Sequence, residues 1–190
     1  MAIGRRDSFD GEFDVVVPAA RAGEAWALER IYEELSPAVA GLFRAQGIDD
    51  ADDLTSEVFV GVLRNLAWFD GDGRSFRSWV FTIAYRRLAD ERRRCVRRPS
   101  AISLANRPEP VAPDDVYTDV ERLLATERVR ALCDRLAPAQ RDVLLLRVFG
   151  DLTVDQVAGV IGRSRGAVKA LQRRGFRALA RLIEREGVPL

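Results

Sequence analysis

Histidine is absent from this 190-residue chain. Its absence excludes histidine-based general acid/base chemistry, Ser/His/Asp triads and most zinc sites. Cysteine is scarce: Cys95 and Cys133 form no CxxC or zinc-type spacing and read as reduced, structural thiols. No run approaches the ~20 apolar residues of a membrane span. No signal-peptide pattern opens the chain, so a soluble, cytoplasmic protein is expected. Clustered carboxylates and a glycine-rich phosphate loop are missing too. A protein that is not an enzyme and carries no metal or cofactor is therefore expected.

Charge is plentiful but segregated. The 30 basic residues comprise Lys169 and 29 arginines, against 29 acidic residues, for a formal net charge of +1. Residues 1–73 hold 6 basic and 15 acidic side chains, a net of −9. Residues 74–98 hold 9 arginines against Asp90 and Glu91, a net of +7. Residues 99–162 return to −3 with 7 basic and 10 acidic groups, and residues 163–185 carry 8 basic groups against Glu184, again +7. Two basic blocks separated by acidic surface fit a polyanion held at two places.

Helical periodicity runs through both halves, and no useful period-two alternation appears, so the fold is expected to be all-α. Residues 1–12 show no periodicity and read as a flexible N-terminus. A helix is expected from Ala22 to Gln46, with Trp26, Ile31, Leu35, Val39 and Leu42 in register and Pro37 as a point of kinking or division. A second, from Asp52 to Leu66, aligns Leu54, Val58, Val62 and Leu66 behind the acidic cluster Asp49–Asp53. A third follows Gly71 and Gly73 and runs from Ser75 to Arg97, its core stripe Phe76, Trp79, Val80, Ile83 and Leu88. Four of the eight prolines lie between Pro99 and Pro113, which marks a flexible linker over 99–115. Two small helical domains result, 13–98 and 116–186. The second opens with a helix from Val116 to Leu136 and a helix begun by Pro138. It continues with a short helix opened by the capping pair Thr153 and Gln156, and a last helix capped by Ser164.

Within the second domain, Ala158, Gly162 and Val168 occupy the three diagnostic places of a helix-turn-helix. The first must be small where two helices cross, the second must permit the turn, and the third is buried beneath the recognition helix. The following helix carries Arg165, Lys169, Arg173, Arg174 and Arg177, as entry into a DNA major groove requires. In the first domain Arg86, Asp90, Arg93 and Arg97 share one helix face, flanked by Arg87 and Arg94. Phe69, Phe76, Trp79 and Tyr85 lie nearby, and aromatic plus arginine side chains suit single-stranded nucleic acid, though Phe76 and Trp79 fit a core as well.

From about Phe13 to Ile183 the chain resembles extracytoplasmic-function (ECF) sigma factors of the sigma-70 family. The resemblance is carried by Asp52-Asp53-Leu54-Thr55-Ser56-Glu57-Val58-Phe59 and by the run Ser75 to Ala84 with Leu88 and Asp90. It is carried also by Leu136 to Leu144, and by Gly166-Ala167-Val168-Lys169 with the basic helix beyond. It implies a subunit that binds bacterial core RNA polymerase and directs promoter-specific initiation, with an anti-sigma factor as a further candidate partner. Asp53, Leu54, Ser56 and Glu57 look like the surface that docks on the polymerase's largest subunit. Phe69, Asp70, Arg74, Tyr85, Arg86, Arg93, Arg94 and Arg97 look like the reader of a melted −10 element. Ser164, Arg165, Lys169, Arg173, Arg174 and Arg177 match positions that contact a duplex −35 element. Ser56 departs from the family's glutamine, Arg86 from its asparagine, and Ala167, Ala170 and Leu171 from its threonine, serine and arginine. A stand-alone helix-turn-helix regulator would explain the C-terminal half but leaves Asp52–Arg98 without a purpose.

Overall fold

The computed structural model describes residues 6–97 and 130–186 and contains no strand among them. Four helices and one 3-10 turn form the N-terminal group: α1 (Arg6–Arg21), α2 (Ala25–Ala45), α3 (Ala51–Asn65), the turn Leu66–Trp68, and α4 (Gly73–Arg97). After a helical turn over 130–134 come α5 (Pro138–Val148), α6 (Val154–Ile161) and α7 (Arg165–Glu186). The linker expected over 99–115, and most of the helix expected from Val116, lie outside the described residues.

Helix α1 starts at Arg6 and corrects the reading of residues 6–12, while residues 1–5 lie outside the described ones. Phe9, Phe13, Val16, Val17 and Ala20 recur at helical spacing and are all buried. Acidic residues interleaved among them obscure the stripe in the sequence. The rings build a cluster on α4: Phe69 lies 5.1 Å from Phe76 in an edge-to-face contact, and Phe13 lies 5.8 Å from Phe76. Trp79 closes the cluster at 5.5 Å from Phe76. Such centroid distances fall within the favourable range for aromatic pairs.

Helix α2 runs through Pro37 unbroken and buries Ala27, Ile31, Leu35, Val39, Leu42 and Phe43, whereas Trp26 is half exposed. Helix α3 buries the expected stripe of Leu54, Val58, Val62 and Leu66 against α2 and α4. On α4, Phe76, Val80 and Leu88 are fully buried as expected, but so are Phe81 and Ala84 on another side. That second side is covered by the C-terminal group. Gly150 brings its backbone against the Phe81 ring, and a Cβ there would lie 3.2 Å from it. The Phe149 ring presses on Gly41 of α2, where a Cβ would lie 2.6 Å from a ring carbon. One continuous apolar core therefore joins the two groups.

The C-terminal helices start where local chemistry dictates. Pro138 occupies the first turn of α5, where its missing N–H costs nothing. Thr153 and Gln156 form a complete capping box at α6. Ser164 Oγ accepts from the Ala167 N–H at the start of α7. Gly175 lets α7 cross α5 closely, since a Cβ there would meet Leu144 at 2.8 Å.

Phe76 touches four other rings and has no exposure. Phe76→Ala is expected to lower unfolding free energy by about 3–5 kcal/mol in urea denaturation. A loss below ~1 kcal/mol would remove the aromatic cluster from its place at the centre of the N-terminal core.

Candidate nucleic-acid interface

Helices α6 and α7 form a helix-turn-helix. Gly162 ends α6 at φ +65°, ψ 38°, the left-handed geometry the turn needs and one that glycine adopts without steric cost. Val168 is fully buried beneath α7 and Leu171 nearly so. With those residues facing inward, Arg165, Lys169, Arg173, Arg174 and Arg177 are all exposed. Val154, Lys169, Gln172, Arg173, Phe176 and Arg177 line a shallow groove along this face, and Phe176 is half exposed within it. Arg165 pairs with Asp155 at 3.1 Å across the turn. The face offers cations at successive turns for phosphates and flexible donors for base edges.

The second cationic surface lies on α4. Arg86, Arg93 and Arg94 are exposed, and Arg93 and Arg94 rest on Asp90 at 3.1 Å and Glu91 at 3.2 Å. The loop before α4 is built by a reciprocal pair: the Ser75 N–H donates to Asp72 Oδ1 and the Asp72 N–H to Ser75 Oγ, each at 2.8 Å. The Ser75 hydroxyl also donates to Asp72 Oδ1, and this bond, followed by that from the Ser75 N–H, holds the Asp72 carboxyl below its ordinary range. Arg21 of α1 reaches the same loop from behind, donating to the Leu66 carbonyl at 3.2 Å and to the Phe69 carbonyl.

Acidic groups gather on the outer side of α3. Asp53, Ser56 and Glu57 are exposed on adjacent turns, and Glu57 lies 3.6 Å from Arg87. Asp52 pairs with Arg44 at 2.6 Å. Val60 and Leu63 are partly exposed further along the helix, and Trp68 is 85% exposed beyond its end.

The sequence model of Sigma-70 region 2 matches residues 31–98, and that of Sigma-70, region 4 matches residues 133–181. The ECF RNA polymerase sigma factor BldN of Streptomyces coelicolor is 36% identical over 183 residues, covering 93% of this chain and 68% of the relative. The ECF RNA polymerase sigma factor SigK of Mycolicibacterium vanbaalenii is 30% identical over 190 residues, covering 96% and 94%. This chain is an ECF sigma factor of the sigma-70 family. The fold alone is shared with CnrH solved in complex with the cytosolic domain of CnrY, at TM-score 0.66 and 23% identity over 90% of this chain and 96% of the other. It is shared also with the Bartonella quintana sigma factor RpoE in complex with the anti-sigma factor NepR, at TM-score 0.57 and 18% identity over 93% and 97%.

In this sigma factor the described residues expected to meet partners fall on three faces, except Leu54, Phe69 and the half-buried Tyr85. Leu54 is buried on the inward side of α3, and Phe69 is buried among Phe13, Phe76 and Trp79. Both serve the core and neither presents its side chain to a partner, because each sits in register with a buried stripe. Ser164 is exposed but engaged in capping α7, and the Arg97 side chain lies outside the described ones. Asp70 and Arg74 are exposed on the loop and at the start of α4. Cys133 is buried as a structural thiol would be, whereas Cys95 is exposed on α4. Sequence reasoning missed Arg21, Gln172 and Phe176. The last two sit at recognisable positions on the basic helix, but Arg21 acts through carbonyl groups some 45 positions away, which no local pattern records.

Tyr85 is half-buried, and its hydroxyl donates to Asp142 Oδ2 at 2.9 Å. Burial, and then the adjacent Asp142 carboxylate, push the Tyr85 hydroxyl up to about 12. The unfolded chain titrates near 10. The folded state therefore holds this proton more tightly, and the resulting stability, fully present below pH ~10, is lost as pH rises towards 12. Tyrosine ring resonances followed by alkaline NMR titration, with Tyr85→Phe for assignment, are expected to show a midpoint near 12 for Tyr85. A midpoint near 10 would mean that the hydroxyl is solvated.

Proposed function

We propose that this sigma factor directs promoter-specific initiation by dividing recognition among its three faces. The acidic turns of α3, with Asp53, Ser56 and Glu57, dock on core RNA polymerase. Val60 and Leu63 extend that stripe with apolar area. The outer surface of α4 and the loop before it, with Asp70, Arg74, Arg86, Arg93 and Arg94, read the −10 element as melted single strand, joined by Tyr85 once its contact with Asp142 is released. The face of α7 with Arg165, Lys169, Arg173, Arg174 and Arg177 reads the −35 element as duplex.

One observation carries this reading: the two exposed arginine-rich faces belong to separate helix groups, and only α7 belongs to a helix-turn-helix. Duplex readout needs a helix in a groove, whereas melted DNA needs cations beside pockets and rings. Two modest contacts on one chain gain from effective concentration once both elements lie on the same polymerase. On this reading the protein is not an enzyme and uses no cofactor of its own. It acts in the cytoplasm, and no described helix is long and apolar enough to cross a membrane. An anti-sigma partner belongs to the proposal because RpoE of B. quintana, of the same fold, is held by one.

Transcription by purified bacterial core polymerase on a genomic promoter library, with and without this protein, tests the reading. Discrete start sites sharing spaced −35 and −10 sequences are expected only with it. A polymerase-independent footprint on a palindrome would instead favour a stand-alone regulator. Arg173→Ala is expected to weaken −35 duplex binding by about 1–3 kcal/mol while leaving polymerase binding intact. Unchanged duplex affinity in fluorescence anisotropy would remove Arg173 from the readout.

A further inference from the structure

Asp142 of α5 is buried, its side chain only 7% exposed, a depth that the Glu34 side chain of α2 also reaches. The Asp142 carboxylate is met entirely from the N-terminal group. Oδ1 accepts from Gln46 Nε2 at 2.9 Å and from Arg92 at 2.8 Å. Oδ2 accepts from the Tyr85 hydroxyl at 2.9 Å and from Arg92 at 3.3 Å. Arg92 also donates to Gln46 Oε1 at 2.7 Å, which closes the network. The end of α2, helix α4 and helix α5 thus converge on a single carboxylate.

Two further contacts flank this network. Phe149 fills the space over Gly41, leaving no room for a side chain there. Gln156 Nε2 donates to the Arg74 carbonyl at 3.0 Å, at the foot of the −10 loop. Helix α6 packs along α4 between these points, where Phe81 and Ala84 are buried. The −35 face of α7 stays exposed throughout.

We infer that Asp142, Gln46, Tyr85 and Arg92 form an intramolecular latch that holds the factor closed and self-inhibited, with Tyr85 of the −10 reader drawn into the contact and the −35 reader open. A buried carboxylate tolerates its desolvation only when charge and hydrogen-bonding capacity are both matched, and this network supplies both. The closed form is incompatible with a promoter. Elements named −35 and −10 are about 25 base pairs apart, which is ~85 Å along B-DNA at ~3.4 Å per pair. Helix groups in direct contact do not span that distance, so α5–α7 must leave α4 when both elements are read. Opening exposes Asp142, Arg92 and Tyr85 to water together, and Tyr85 becomes free to face the melted strand.

The functional half of this inference rests on the proposed −10 role of α4, whereas the latch itself rests on contacts alone. Two variants of the full chain separate them. Asp142→Ala removes the acceptor at the centre, and Gly41→Leu places a side chain where Phe149 sits. Small-angle scattering is expected to give the unmodified factor a radius of gyration near that of a compact 190-residue body, about 16 Å. Both variants are expected to be clearly larger, with unchanged helical circular dichroism. A closed population ten times the open one weakens apparent affinity about tenfold. Both variants should therefore bind a fluorescent single-stranded promoter oligonucleotide about tenfold more tightly, with −35 duplex binding unchanged. Two variants as compact as the unmodified factor would overturn the latch. Expanded variants with unchanged single-strand affinity would overturn self-inhibition and the −10 role of α4, leaving the latch as a purely structural contact.

Discussion

The structure depends on one helix serving three environments at once. Along its length α4 turns Phe76, Val80 and Leu88 towards the N-terminal core, Phe81 and Ala84 towards the C-terminal group, and Arg86, Arg93 and Arg94 towards water. A helix surface divides into such sectors only because residues three and four apart share a face. The aromatic cluster fixes its start, the capping of Ser75 and Asp72 sets the loop before it, and the arginines define its outer edge. A shift of α4 would disturb the core, the loop and the cationic surface together.

Features governed by local chemistry were legible in the sequence. Pro138 at a first turn, the Thr153–Gln156 box, Gly162 in the turn and Val168 beneath α7 all act within a few residues of themselves. The stripe of α3 was equally plain, since Leu54, Val58 and Val62 recur every four residues. What escaped notice depends on distant partners. Phe81 and Ala84 follow a second stripe that only α6 and Gly150 make meaningful, and Asp142 finds Gln46 from 96 positions away. Among the expected partner-facing residues, Leu54 and Phe69 satisfied both a motif and a core stripe, and burial took precedence. Helix α1 was missed because its acidic residues alternate with the apolar ones and conceal a regular buried face.

The arginines of the two basic helices live in different circumstances. On α4, Arg87, Arg92, Arg93 and Arg94 each rest against a carboxylate, of which only that of Asp142 is buried. Exposed pairs contribute at most about 1 kcal/mol and yield readily to phosphate or to competing salt. The local partners of Arg93 and Arg94, at positions i−3, keep those side chains extended along the helix surface without burying them. Arginine suits this role better than lysine, since its fork grips a carboxylate or a phosphate with two parallel bonds.

Gln156 divides its side chain between two tasks. Its Oε1 accepts from the Thr153 N–H at 2.8 Å, completing the cap of α6, while Nε2 alone reaches the Arg74 carbonyl. Separation of the helix groups breaks the second bond and leaves the first whole. The helix-turn-helix can therefore travel as a rigid body, its start still capped and its internal geometry unchanged. On the proposed latch, opening is then a rigid-body separation that calls for no local melting of α6.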